Sequence, residues 1–261
     1  MERLRFGKQK RRIGHAFVLL LAAFLIRPAH AADRVVSLNL CADQLLVLLA
    51  PEKIAALSPL ARDPALSFVA PQAARLPVVR ASAEAVMALR PDLVLGARFG
   101  ARTTLALLER AGIRVERLDQ PTDFPGIRAQ LRATAVLLGV RGRAEPLIAA
   151  MDAALPSPGP PRDALVWEPR GWTAGRTSLM NAVLLAAGLT NTGSGARVGL
   201  ETLLRLKPAL LILPEGAASP SLATDMLDHP SVRVIPRRAV PVSLTICPGP
   251  FTAGAAAALA Q

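Results

Sequence analysis

The chain has 261 residues, of which 52% are hydrophobic, and its mean hydropathy is +0.37. This is enough apolar material for one large or two small domains, and it excludes an intrinsically disordered chain. The formal net charge is +12, but Tyr is absent, Trp occurs twice and Phe seven times. A nucleic-acid surface built from stacked aromatic rings is therefore excluded, and we expect no nucleic-acid partner.

The first 31 residues predict a secretory signal peptide. A basic stretch precedes the apolar run AFVLLLAAFLI and the small-residue site Ala29-His30-Ala31. Seven of the 31 basic residues but only one of the 19 acidic residues lie in this segment, so it holds half of the excess positive charge. The apolar run is shorter than the roughly 20 residues that a transmembrane helix needs. We therefore expect cleavage after Ala31 and a periplasmic protein without a lipid anchor.

Beyond residue 31, short β-branched runs alternate with helical patterns, which is typical of βαβ units and parallel sheets. The predicted class is α/β, with two lobes joined by a helical segment and a ligand cleft between them. The predicted elements are strands 34–40, 54–58, 93–95, 115–118, 164–167 and 240–246, and helices 42–49, 83–89, 104–111 and 251–259. The resulting domains are a signal peptide (1–31), an N-terminal lobe (32–122), a connecting segment (123–155) that Gly139 and Gly142 interrupt, and a C-terminal lobe (156–261).

Two segments repeat one pattern. EAVMALRPDLVL begins at Glu84 and ETLLRLKPALLI begins at Glu201, and in each a basic residue and Pro follow the glutamate at the same offset. A short helix is expected to end before each Pro, because Pro disfavours the helical conformation in its predecessor, and a strand follows. The repeated glutamate indicates a paired role for the two residues.

The two cysteines occupy matching places. Cys41 and Cys247 each follow a predicted strand and precede a predicted helix. Ligands bind at the carboxyl ends of the strands in open α/β sheets, and both cysteines are expected there. Three alternatives remain open at this point: a disulfide across the cleft, two free thiols that line the ligand pocket, and soft ligands to a metal that the solute carries.

A loop after the first strand of the C-terminal lobe contains Arg170 and Trp172. A rigid aromatic ring beside a cation suits an anionic, partly flat ligand, although Trp172 could instead cover the edge of the core. The corresponding loops of the N-terminal lobe contain Arg62 and Arg98. His229 is the one histidine left after signal removal, so neither a histidine-based catalytic triad nor a multi-histidine metal site is predicted.

Four segments together resemble the helical-backbone class of ABC-importer substrate-binding proteins. They are RVVSLNLCADQLLVLLA, SAEAVMALRPDLVLG, GLETLLRLKPALLIL and CPGPFTAGAAAALA, and the resemblance covers about residues 34–259. This family carries iron–siderophore complexes, cobalamin and haem. The resemblance implies a ligand between the lobes, with Trp172 and Cys247 in the cleft. It also implies that Glu84 and Glu201 dock onto arginines of a permease dimer. Ala97 and Val78 stand near positions where a cobalamin binder would carry large rings, which argues against cobalamin.

These observations predict a monomeric periplasmic protein that delivers a metal-chelate solute of the iron–siderophore, cobalamin or haem type to an ABC permease dimer. It is expected to have no catalytic activity, no cofactor and no metal site of its own. The candidate ligand-binding residues are Cys41, Arg62, Arg98, Arg170, Trp172 and Cys247, and the candidate docking residues are Glu84 and Glu201. Two alternatives are an exported thiol-dependent enzyme that uses Cys41 at a helix N-terminus, and a ligand-binding sensor module.

Overall fold

The computed structural model describes residues 32–215 and 226–261, so the predicted signal peptide lies outside the described residues. Eight strands form two four-stranded parallel sheets, and helices cover the faces of both. The predicted α/β class is therefore confirmed. The described part contains no helix that is both long enough and apolar enough to cross a membrane.

The sheet of the N-terminal lobe has the strand order β2-β1-β3-β4. Its strands are β1 (Val35–Ser37), β2 (Ile54–Ala56), β3 (Leu93–Ala97) and β4 (Val115–Leu118). The helices of this lobe are α1 (Leu40–Leu49), α2 (Ala70–Ala73), α3 (Ala83–Ala88) and α4 (Arg102–Arg110). Buried apolar residues of β1 and β3, such as Val36 and Val94, pack against α3 and α4 on one face. On the other face, Val35 and Leu93 belong to a larger core that includes α1.

Two helices connect the lobes. They are α5 (Phe124–Leu137) and α6 (Ala144–Ala154). Gly139, which has a φ of 71°, and a short 3₁₀ turn separate the two helices. The predicted interruption of the connecting helix therefore exists. Leu131, Ile148 and Met151 are buried in the core that both lobes share, so the connection is packed and not a free linker.

The sheet of the C-terminal lobe has the equivalent strand order β6-β5-β7-β8. Its strands are β5 (Arg162–Val166), β6 (Leu189–Asn191), β7 (Leu210–Glu215) and β8 (Arg237–Pro241), and its helices are α7 (Leu179–Ala186), α8 (Leu200–Leu206), α9 (Pro230–Arg233) and α10 (Thr252–Ala260). The strand predicted over residues 240–246 was wrong. The strand ends at Pro241, and a 3₁₀ turn follows in which the N–H groups of Thr245 and Ile246 donate to the carbonyl of Val242.

The repeated sequence pattern corresponds to a repeated structure. Helices α3 and α8 both end before a basic residue, Arg90 or Lys207, which adopts the left-handed conformation with φ of 47° or 42°. Proline follows each basic residue, and β3 or β7 begins two residues after the proline. Both basic residues accept a conformation that is costly for a residue with a Cβ, which indicates that the same sharp turn is required in each lobe.

Candidate functional site

A disulfide joins the two lobes. Cys41 lies at the start of α1 in the N-terminal lobe, and Cys247 follows β8 in the C-terminal lobe; their Cα atoms are 5.2 Å apart. Of the three alternatives predicted for the cysteines, the structure contains the disulfide. The pair therefore offers neither free thiols nor thiolate ligands. The same bond removes the nucleophile that a thiol-dependent enzyme would require. Cys247 is 1% exposed, so it presents almost no surface to a ligand.

Apolar contacts surround the disulfide and form a seam between the lobes. Phe68 of the N-terminal lobe stacks on Phe251 of the C-terminal lobe, with ring centroids 4.8 Å apart and an interplanar angle of 21°. Leu40, Cys247 and Phe251 form a small buried cluster against which Leu66 also packs. The lobes are therefore held together at this side of the cleft by both a covalent bond and burial of apolar surface.

The first turn of α1, which carries Cys41, is held by side chains of the same lobe. Asn39 caps α1, and its Oδ1 accepts hydrogen bonds from the N–H groups of Cys41 and Ala42 at 3.0 and 3.3 Å. One turn later, the carboxylate of Asp43 accepts from the Ser58 N–H at 3.1 Å and from the Ser58 hydroxyl at 2.5 Å. Asp43 thus ties the start of α1 to the loop after β2.

Asp43 is completely buried, and burial raises its pKa from 3.8 to about 6, although hydrogen bonds from Ser37 and Ser58 partly oppose the shift. Because the folded protein binds this proton more tightly than the unfolded chain, stability falls as the pH rises from 4 through 6. We expect this group alone to lower the free energy of unfolding by about 2 kcal/mol over that window. The measurement is urea denaturation at a series of pH values between 4 and 7.

The matched variant for this prediction is Asp43→Asn, which keeps an acceptor for Ser58 but has no titrating proton. Its unfolding free energy should depend less on pH between 4 and 7 than that of the original protein. An identical pH dependence in the two proteins would show that Asp43 is not the group responsible.

Trp172 lies beside two arginines at the carboxyl end of β5. Its side chain is 45% exposed, and its backbone forms an antiparallel bridge with Arg197 from the loop after β6. The Arg197 Nε donates to the carbonyl of Arg170 at 3.0 Å. Within the described residues, no carboxylate lies within ion-pair distance of either guanidinium. The two loops that carry the exposed ring and its bridge partner therefore also carry two cations that are available to an anionic ligand.

This loop is rigidly supported. Arg170 has a φ of 64° and Gly171 a φ of 78°, which produces a sharp turn before Trp172. The side-chain amide of Asn191 at the end of β6 donates to the Ala174 carbonyl at 3.0 Å. At Gly193, a Cβ would stand 2.6 Å from the same carbonyl, so only glycine permits this approach of the two loops.

The remaining predicted ligand-binding residues lie in loops that follow β2 and β3. The Arg62 guanidinium donates to the Leu76 carbonyl at 2.5 Å and is thus used within its own lobe. Arg98 pairs with Asp119 at 2.5 Å, and both side chains are largely exposed. The described contacts bring neither arginine to Arg170 or Trp172.

Glu84 and Glu201 occupy equivalent places, in the first turns of α3 and α8, and both are exposed. Each helix begins beside loops at the carboxyl edge of its sheet. The hydroxyl of Thr104, at the start of α4, donates to the carbonyl of Ala81 at 2.8 Å, and the Val198 N–H donates to the carbonyl of Gly171 at 2.9 Å. The two carboxylates are therefore presented by matching elements of both lobes.

His229 precedes α9, where its Nδ1 accepts a hydrogen bond from the Ser231 N–H at 3.2 Å. The His229 side chain therefore caps the N-terminus of α9. Within residues 32–215 and 226–261, no three His, Cys, Asp or Glu side chains gather as a metal site would require.

Three features of the site were missed by the sequence analysis. These are Arg197, the Phe68–Phe251 stack and the buried Asp43. Only Asp43 left a usable signal, because an acidic residue stands among apolar residues on the buried side of α1, three residues after Leu40 and three before Leu46. Arg197 and the two phenylalanines meet their partners through loop contacts that have no sequence periodicity.

Comparison with known proteins identifies relatives of the same architecture. A periplasmic haem-binding protein from Pseudomonas aeruginosa is 25% identical over 88% of this chain and 91% of that chain, with a TM-score of 0.67. The apo form of the periplasmic haem-binding protein RhuT from Roseiflexus sp. RS-1 is 22% identical over 88% and 97%, with a TM-score of 0.70. The periplasmic vitamin B12-binding protein BtuF of Vibrio cholerae is 18% identical over 88% and 96%, with a TM-score of 0.66.

At 22% and 18% identity, the similarity to RhuT and BtuF shows a shared fold and nothing more. A search of curated protein sequences gives no match. The family model described as "Periplasmic binding protein" matches residues 35–213, which include the disulfide's Cys41, the Trp172 loop and both repeated glutamate elements. Since this match covers well over half of the sequence and the solved relatives share its two sheets, the chain belongs to the periplasmic binding protein family.

Proposed function

We propose that this protein binds a metal chelate in the periplasm and delivers it to an ABC importer. The observation that carries the proposal is the repeated element of helix, left-handed basic residue, proline and strand, which presents Glu84 and Glu201 alike on the two lobes. Two exposed carboxylates in matching positions suit a permease of two like halves, each with a basic pocket. A protein that bound its solute without docking would have no need of the pair.

Trp172 supports the proposed class of solute. Its exposed ring offers a flat apolar surface, and Arg170 and Arg197 carry positive charge on the same two loops. A metal chelate with a flat or apolar face and an anionic edge would use both features. Two of the relatives are a haem-binding protein and a vitamin B12-binding protein, and both of those ligands are metal complexes.

The proposed arrangement assigns residues 32–122 and 156–261 to the two lobes and 123–155 to their connection, with the solute between the lobes. The protein acts as a monomer and carries no cofactor. Arg170 contributes positive charge from the C-terminal lobe, and Arg98, which pairs with Asp119, faces the solute from the N-terminal lobe. Cys41 and Cys247 act through their disulfide, which limits separation of the lobes, and Arg62 braces the loop after β2.

The experiment that tests the solute class is titration of the purified protein with a ferric trihydroxamate, haemin or cyanocobalamin. At least one of these should quench the fluorescence of Trp172. It should also stabilise the folded protein by about 2.7 kcal/mol when its concentration is 100 times the Kd.

The matched control is Trp172→Phe, which retains the buried Trp167 as an internal reference. The variant should lose the Trp172 component of the quenching. It should also bind the same solute more weakly, because phenylalanine offers less contact area than the larger indole ring of tryptophan. If none of the three solutes changes either the fluorescence or the Tm, the metal-chelate assignment is wrong.

A further inference from the structure

Part of the C-terminal lobe has basic residues but no acidic ones. The residues between Glu168 and Glu201 include neither Asp nor Glu. They include three arginines, which are Arg170, Arg176 and Arg197. These arginines lie in the loops that follow β5 and β6, at the carboxyl ends of parallel strands, where ligands bind in open α/β sheets. The two loops therefore carry positive charge that no acidic residue of the same stretch offsets.

Hydrogen bonds hold these two loops together. The N–H of Thr173 donates to the Ala196 carbonyl at 3.2 Å, and the Thr173 hydroxyl donates to the same carbonyl at 2.9 Å. The next residue, Arg197, donates through its Nε to the Arg170 carbonyl at 3.0 Å. Arg170 and Arg197 are therefore fixed on adjoining segments of backbone, one from each loop.

Arg176 lies on the same pair of loops. At Gly175, a Cβ would stand 3.3 Å from the Cα of Gly195, so the two loops touch there through their backbones. Arg176 is the residue after Gly175. Arg197 lies two positions after Gly195. The Cα atoms of the two arginines are therefore no more than about 16 Å apart. Both side chains are exposed, so one solute molecule can contact both of them.

The charges of the two lobes differ at these loops. Within the described residues, no carboxylate lies within ion-pair distance of Arg170, Arg176 or Arg197. In the N-terminal lobe, by contrast, Arg98 pairs with Asp119 at 2.5 Å. Like charges on adjoining loops repel each other, so a ligand that brings negative charge to the C-terminal lobe gains the interaction that the protein itself leaves unused.

We propose that the solute is an anionic chelate whose negatively charged groups bind Arg170, Arg176 and Arg197, and that these arginines select it over neutral chelates. The inference rests on the proposed function, because the same molecule places its flat face on Trp172. Guanidinium groups form charge-assisted hydrogen bonds with anionic oxygen atoms. The anionic edge of the solute therefore faces the C-terminal lobe.

The test uses two pairs of chelates that differ in charge. The first pair is haemin and haemin dimethyl ester, which share the ring and the metal but differ in their free carboxylates. The second pair is two ferric complexes on one tripodal scaffold, one with catecholate arms, which is anionic, and one with hydroxamate arms, which is neutral. In at least one pair, the purified protein should bind the anionic member roughly hundredfold more tightly, because hydrogen bonds to charged groups are lost in the neutral one.

Ionic strength gives a second measurement on the same pairs. The affinity for the anionic member should fall as sodium chloride is raised from about 0.05 to 0.5 M, because salt screens the exposed guanidinium groups. The affinity for the neutral member should not change. A preference that rested on the shape of the chelate would not depend on salt.

Variants locate the charge that selects the solute. Arg176→Gln should weaken binding of the anionic member roughly tenfold and leave binding of the neutral member unchanged. Arg110→Gln is the matched control and should change neither affinity. Arg110 is also exposed, but it ends α4, at the edge of the sheet opposite to the carboxyl ends of the strands.

Arg197 needs two variants, because its Nε also bonds to the backbone of the neighbouring loop. Arg197→Gln removes the charge, whereas Arg197→Lys keeps the charge and loses the guanidinium geometry. The lysine variant should retain more affinity for the anionic member than the glutamine variant. Equal losses in the two variants would show that the loop contact, and not the charge of Arg197, supports binding.

The outcomes separate this inference from the proposed function. Equal affinities within both pairs would refute selection by charge and leave the chelate assignment intact. Binding of cyanocobalamin but of neither pair would also overturn this inference alone. If neither pair and no cyanocobalamin bound, both proposals would be overturned. An undiminished preference for the anionic member in both Arg176→Gln and Arg197→Gln would show that these arginines do not select the solute.

Discussion

Loss of the Cys41–Cys247 disulfide is expected to lower the free energy of unfolding by about 5 kcal/mol. The two cysteines lie 206 positions apart, so the bond closes a loop that includes every described strand except β1. Such a bond restricts the unfolded chain, and the entropy that it removes grows with the length of the loop. Since many proteins have a total stability of about 5–15 kcal/mol, the reduced protein should be marginally stable.

The measurement is guanidinium denaturation of the oxidised protein, the reduced protein and the variant Cys41→Ala/Cys247→Ala. The reduced protein and the double variant should unfold at similarly low denaturant concentrations. Dithiothreitol should have no further effect on the double variant, which makes that variant the control for the reductant. Equal midpoints for the oxidised and reduced proteins would refute the prediction.

Removal of both Glu84 and Glu201, the proposed docking residues, is expected to nearly abolish solute uptake by cells. Truncation of one partner of a desolvated charge pair at an interface typically costs about 2–5 kcal/mol, so Glu84→Ala or Glu201→Ala alone should weaken uptake. The double variant loses both contacts with the permease. Arginine at either position should be worse than alanine, because it places like charges opposite each other.

The solute affinity of the purified protein is measured beside uptake, because the two glutamates are predicted to contact the permease and not the solute. Asp163→Ala is the matched control, since Asp163 is an exposed carboxylate at the amino end of β5, away from the cleft loops. This variant should transport normally. Normal uptake by the double glutamate variant, or a tenfold change in solute affinity in either single variant, would contradict the docking role.

Local patterns predicted much of the fold. The strand over residues 115–118 was placed correctly, and the interruption after α5 followed from Gly139. The pattern failed after Pro241, where a β-branched run forms a turn because its N–H groups donate within the turn and not to a neighbouring strand. Hydrophobic periodicity in a sequence does not show which carbonyl group accepts a hydrogen bond from a given backbone N–H, so it could not predict this turn.

The candidate site was less predictable because its contacts join distant loops. The sequence indicated that Cys41 and Cys247 follow strands, but their pairing depended on how the lobes meet. Trp172 and Arg170 were found because they are neighbours in sequence. Arg197 reaches them through a bridge between two loops whose close approach depends on Gly193.

The disulfide also changes how the folded protein carries mechanical load. A force applied between Ala32 and Gln261 passes along residues 32–41, through the sulfur–sulfur bond, and along residues 247–261. The cysteines lie 206 positions apart, and the chain between them would span about 700 Å if fully extended, so the bond excludes this contour length from the loaded path. The four strands of the C-terminal sheet and strands β2, β3 and β4 of the N-terminal sheet are therefore bypassed, and among the described strands only β1 (Val35–Ser37) lies in the loaded path while the bond is intact.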